Sequence, residues 1–164
     1  MQVGIFCDAS QLYFCVNRKF KGRKVDYKKF IDFIVDTFDG VDTYVATKAY
    51  GTKINNEAIK FVSRLNSIGF VTKFVRTTKT RHTSLSINIA MDVIRLLDSD
   101  SLDHVILGSA NRELIPLLAY LKERGVGVSV VACGVCNEIR NLVSNVFEIS
   151  EELLEDEATK RTDE

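Results

Sequence analysis

Asp8 directly follows a short apolar run, Val3-Gly4-Ile5-Phe6-Cys7. Ser109, Asn111 and Glu113 closely follow another, Val105-Ile106-Leu107. Carboxylates accompanied by amide and hydroxyl oxygens are hard donors of the kind that suit Mg²⁺ or Mn²⁺. In open α/β sheets, sites form beyond the carboxyl ends of strands, where the strand order switches direction. If the two runs are neighbouring strands, their loops converge on one crevice. The competing reading is that Asp8 and Asn111 only cap the helices that follow them.

Other chemistries find less support. Asp8-Ala9-Ser10-Gln11 stands where a glycine-rich dinucleotide loop would follow the first strand, and the chain has no P-loop. Of the two histidines, His104 opens a strand and His82 lies in a polar stretch, so no spacing supports a nucleophilic triad. Cys133-Gly134-Val135-Cys136 is a lone CxxC, readable as half a zinc site, a redox pair or small residues in a tight turn. Two basic segments are more suggestive. Asn17 to Lys24 carries Arg18, Lys19 and Arg23 with Tyr13, Phe14 and Phe20 interleaved, and Lys73 to His82 carries Lys79, Arg81 and His82 among hydroxyl side chains. Such mixtures hold phosphates and stack bases, or are simply solvated loops.

The elements that would position these residues alternate along the chain. Strands are expected at Val3–Cys7, Val41–Lys48, Phe70–Val75, Val105–Leu107 and Val126–Ala132, with a short edge strand at Val146–Ile149. Helices are expected from Asp26 through Phe38, from an Asn55 cap to Gly69, over Leu85–Leu97, over Arg112–Arg124 closed by Gly125, and over Asn137–Ser144. This order predicts an α/β three-layer sandwich around a mostly parallel sheet of five or six strands, Rossmann-like in outline. On the Leu85 helix, Asp92 lies six residues past Ser86, about 600° of rotation, so the two are not expected to share one face.

The chain has 164 residues, 46% hydrophobic and 27% charged, which suits one globular domain with a real core. Its zero net charge divides unevenly. From Glu148 onward there are eight acids and two bases, leaving 14 acids and 20 bases elsewhere, so the body is about +6 and the end about −6. A basic body attracts polyanions. The segment from Glu151 is expected to be an exposed acidic tail, with at most a frayed helix around Leu153 and Leu154. No signal peptide or membrane-crossing apolar run is present, which points to the cytoplasm and to cysteines held as thiols.

Three segments resemble one known family. Asp8-Ala9-Ser10-Gln11-Leu12-Tyr13 is similar to the opening Asp-x-x-Asn-Leu-Tyr of NYN domains, in particular the LabA-like branch of this family in the PIN-like nuclease superfamily. Leu85-Ser86-Ile87-Asn88-Ile89-Ala90-Met91-Asp92 resembles that family's Val-Asp-Val-x-Leu-x-x-Asp helix. Ile106-Leu107-Gly108-Ser109-Ala110-Asn111-Arg112-Glu113-Leu114-Ile115-Pro116-Leu117 resembles its Leu-x-Ser-Gly-Asp-Ser-Asp-Phe-x-Pro-Leu signature. The resemblance covers residues 1–150 and leaves 151–164 as the acidic tail. It implies a metal-dependent endoribonuclease fold, with carboxylates holding Mg²⁺ or Mn²⁺ that activates water.

This chain departs from the pattern. Asp8 and Asp92 match family acids, but Gln11 replaces Asn, Ser86 and Asn111 replace Asp, and Glu113 lengthens the side chain. Two readings follow. In the first, Asp8 and Glu113 bind the metal and Asn111 orients water or phosphate, with Asp92 a further candidate. RNA is then held by Gln11, Arg18, Lys19, Arg23, Lys79, Arg81, His82 and Ser109. In the second, the domain is catalytically inactive and holds RNA, a protein partner or a second copy of itself. A nucleotide binder using the same crevice is the third alternative.

Overall fold

The computed structural model describes residues 1–53, 57–76, 84–99 and 101–157. Six strands form one wholly parallel sheet: β1 (Gln2–Asp8), β2 (Thr43–Lys53), β3 (Val71–Arg76), β4 (His104–Gly108), β5 (Gly127–Ala132) and β6 (Asn145–Glu148), in the order β3-β2-β1-β4-β5-β6. A parallel sheet covered on both faces needs strands apolar along their whole length. Val3, Ile5, Phe6 and Cys7 in β1 and Val105, Ile106 and Leu107 in β4 meet that requirement, each nearly solvent-free.

The helices are α1 (Ala9–Lys19), α2 (Tyr27–Thr37), α3 (Glu57–Ile68), α4 (Leu85–Asp98), α5 (Ile115–Glu123) and the single turn α6 (Asn137–Arg140). Right-handed crossovers place the helices that lead from β1 outward to β3 on one face and those that lead from β3 back to β6 on the other. This is the expected three-layer α/β sandwich, with six strands all parallel. Asp26 caps α2 by accepting from the Lys28 and Lys29 amides. Gly69 and Gly125 follow α3 and α5 with φ of 116° and 72°, a backbone conformation that a side chain disfavours. The Asn55 cap lies outside the described residues.

Three features differ from expectation. Residues 9–19 form a helix where no element is expected, the helix expected over Asn137–Ser144 is the single turn Asn137–Arg140, and residues 151–157 are not a free tail. A 3₁₀ turn at Glu151–Leu153 carries Leu153 and Leu154 into the core, 7% and 0% exposed. The segment is zipped to residues 23–29. The Asp26 amide donates to the Leu153 carbonyl (2.9 Å), the Glu155 amide to Lys24 (2.9 Å), and Lys29 Nζ to Asp156 (3.0 Å). The acids there do face solvent, as Glu151 and Glu152 are exposed.

Candidate nucleic-acid and metal site

The strand order reverses between β1 and β4, which pair in register from Val3 with His104 to Cys7 with Gly108. The crevice beyond their carboxyl ends is therefore where a ligand site is expected. Asp8 ends β1 there and is 3% exposed; its Oδ1 caps α1 by accepting from the Gln11 amide at 2.9 Å. Across the crevice, Asn111 Oδ1 accepts from the Glu113 amide at 3.0 Å, capping a 3₁₀ turn over Arg112–Leu114 that leads into α5. The capping interpretation of Asp8 and Asn111 is thus realised, and it coexists with convergence of the two loops. Gln11 Oε1 reaches across to the Ala110 amide (3.3 Å), and the buried Ser109 Oγ accepts from the Asn111 amide (3.2 Å). Gln11 and Ser109 are thereby committed to shaping the crevice.

Burial pushes the Asp8 carboxyl above the usual carboxylate range. The Gln11 and Ser10 amides pull it back, and the nearby Glu113 charge pushes it further up. Glu113 is exposed and accepts from Ser84 Oγ at 2.6 Å, which ties the site to the N-terminus of α4. One turn into that helix, Ser86 Oγ is buried with no hydrogen-bond partner among the described residues. Ser84, Ser86 and Glu113 share a cavity of about 520 Å³ between α4 and α5.

Asp92 has a different setting. It is 4% exposed and accepts from Tyr50 Oη (2.6 Å) and Lys73 Nζ (2.6 and 2.8 Å), with Lys48 Nζ and Arg95 each at 3.5 Å. Burial alone would raise its pKa, but Lys73, Tyr50 and Lys48 together hold it below the ordinary value. Ser86 and Asp92 are both buried, contrary to the expectation from helical rotation. They lie about 120° apart on the two edges of a wide buried stripe that also holds Ile89 and Val93.

Among the candidate cations, Arg18 and Lys19 are exposed at the end of α1. Arg23 is largely withdrawn and donates to the Glu155 carbonyl at 3.0 Å. Lys79, Arg81 and His82 lie outside the described residues. The CxxC splits. The buried Cys133 thiol hydrogen-bonds with Cys15, which raises its pKa, while Cys136 precedes α6. Sequence reading missed Ser84 and the Cys15–Cys133 contact; their partners lie far away in the chain and leave no local signal. No group of three or more His, Cys, Asp or Glu suited to a metal occurs among the described residues. None of their helices is long and apolar enough to cross a membrane.

An all-parallel α/β sandwich with an acidic residue at its switch point matches a PIN-like fold. The NYN domain model matches residues 2–150, and the chain belongs to the NYN domain family. NYN domains are PIN-like and nuclease-type, with RNA-related functions. Among solved structures, a protein of unknown function from Vibrio parahaemolyticus, VPA0982, superposes with a TM-score of 0.79 at 20% identity, covering 94% of this chain and 96% of that one. That likeness concerns the fold alone. No curated protein matches.

Proposed function

We propose that this NYN domain acts on RNA at the crevice between β1 and β4 as a metal-dependent, ribonuclease-type enzyme with a charge-depleted site, in which Asp8 and Glu113 hold one Mg²⁺ or Mn²⁺. The observation that carries this reading is a contrast between two buried acids. Asp92 is surrounded by Lys48, Lys73 and Arg95, whereas the equally buried Asp8 caps α1 and has no cationic partner among the described residues. A buried carboxylate without a cation is an electrostatic deficit that a metal ion relieves.

The donor set fits. Mg²⁺ keeps several waters and is commonly held by one or two carboxylates together with substrate phosphate. A bound divalent ion would polarise the phosphate and supply an activated water. The chain's own groups do the rest. Asp8 is fixed by its cap to Gln11 and Glu113 is tied to Ser84, while Asn111, whose Oδ1 accepts from the Glu113 amide, would turn its Nδ2 to phosphate. Arg18 and Lys19, with Lys79, Arg81 and His82 from outside the described residues, draw the RNA backbone in. Residues 1–150 are the working unit, and the acidic residues 151–157 pack against it.

A second reading, an inactive module for RNA or a protein partner, is favoured by one fact. Asn111 carries no charge, and its Oδ1 is already committed to the Glu113 amide. Mn²⁺ titration by calorimetry, run beside an Mg²⁺-dependent assay on single-stranded RNA, separates the two. The enzyme reading expects cleavage and Mn²⁺ binding, with Mn²⁺ affinity lowered at least ~10-fold in Asp8→Asn. No cleavage by the natural chain, but cleavage by Ser86→Asp/Asn111→Asp, establishes the inactive module. If neither protein binds Mn²⁺ at millimolar levels, the metal site is refuted.

A further inference from the structure

A groove of about 410 Å³ opens next to Asp8, toward β2 and β3, and none of the groups proposed to handle phosphate accounts for it. Ala9 and Ser10, the two residues after Asp8, form its near wall. Its floor is aromatic: the Tyr27 and Phe61 rings lie 5.7 Å apart and those of Phe61 and Phe74 5.9 Å apart. The Phe74 ring packs against Gly51, its partner in β2, where a Cβ would meet the ring at 2.5 Å. Tyr13 and Phe14 line the groove from α1 while 47% and 67% exposed, their rings edge to face at 5.5 Å. Lys24 stands at the rim, and Arg64 stacks its guanidinium over Phe61 at 5.9 Å.

We infer that this groove is a nucleobase subsite, which takes one base of a single-stranded RNA whose backbone crosses the Asp8 crevice. The inference rests on the RNA reading of that crevice. Large exposed aromatic faces beside a polyanion-attracting surface are the elements of sequence-tolerant base stacking. Glu57 and Glu155 also line the groove and Glu155 pairs with Arg64 at 3.8 Å, which leaves Lys24 as the rim cation for a phosphate. An aliphatic peptide would use the apolar surface but not the aromatic faces, whereas a nucleotide brings both an aromatic face and a phosphate. Stacking between Phe14 and the Phe61–Phe74 floor positions the nucleotide next to the one held at Asp8.

The chain has no tryptophan, so a Phe14→Trp variant carries a single indole at an exposed position in the groove. In metal-free buffer, AMP and a 12-nucleotide single-stranded RNA are expected to quench its emission, and ribose 5-phosphate is not. Gly51→Ala in that background displaces the Phe74 ring and weakens the quenching. Separately, Phe61→Ala is expected to weaken RNA binding roughly 5- to 150-fold, the equivalent of one lost stacked base. If RNA binds by anisotropy with normal salt sensitivity but neither AMP nor RNA quenches, the subsite is overturned while the RNA reading stands. If no RNA binds at all, both fall. Quenching by an apolar peptide and not by AMP assigns the groove to a protein partner and overturns the proposal.

Discussion

Asp8 and Asp92 are both aspartates at most 4% exposed, and their neighbours give them opposite consequences. The carboxyl of Asp8 titrates above its ordinary value of 3.8, so the folded state holds its proton more tightly than the unfolded chain does. Its contribution to stability is complete below that ordinary value and is lost as pH rises through the folded one. Asn preserves the cap to Gln11 and removes the charge. Asp8→Asn should therefore melt at a higher temperature than the natural protein at pH 7 in chelator, with the difference fading as pH falls below 4. Calorimetric scans at both pH values check this, and a lower melting temperature at pH 7 would contradict it. Asp92→Ala should act in the other direction. It strands Lys48, Lys73 and Tyr50 and costs about 2–4 kcal/mol in urea unfolding, since removing one member of a buried ion cluster leaves the others uncompensated. An effect below about 0.5 kcal/mol would show that the cluster does not hold α4 to the sheet.

At the scale of elements, the closing segment and α1 make the sharpest claims. Leu154 is fully buried and bridges to Val25, so Leu154→Ala should cost about 2–5 kcal/mol, and deleting 151–164 should lower the melting temperature markedly. A truncated protein that melts with the full chain would mean the zipper along 23–29 contributes nothing.

These two elements were also the least legible in the sequence. β1, β4 and β5 read clearly because a strand buried on both faces must be a continuous apolar run. α2 and α5 read clearly because caps and a terminal glycine bracket them. In α1 the apolar positions are mixed: Leu12 and Val16 face the core, but Tyr13 and Phe14 face outward, so the apolar stripe is blurred. In the closing segment seven acids outweigh two leucines, although the adjacent Leu153-Leu154 pair is the one sign of burial. The crevice was legible because Asp8, Asn111 and Glu113 sit at strand ends. The partners of Asp92 were not, because β2 and β3 supply them across the fold rather than along the helix.

For the molecule as a whole, the sequence divides into a body near +6 and an end near −6. Among the described residues, Glu151, Glu155 and Asp156 of that end lie against the body and spend part of their charge on Arg23, Arg64 and Lys29. RNA affinity should fall linearly in log–log terms with salt, with a modest slope that reflects few phosphate contacts, and the charge-removing pair Arg18→Ala/Lys19→Ala should flatten it. Affinity indifferent to salt between about 50 and 200 mM would rule out an electrostatic footprint.

The place of β1 in the sheet has a consequence for how the chain is made. β1 is synthesised before the other strands of its sheet, yet it lies in the middle, between β2 and β4. Until residues 104–108 have been synthesised, its β4-facing edge has no partner, and the apolar side chains meant for that half of the core stay in water. During translation the nascent chain therefore passes through a long interval with an open, sticky strand edge. Fragments ending before β4 should self-associate or be captured by chaperones, whereas those reaching Leu154 should be released folded.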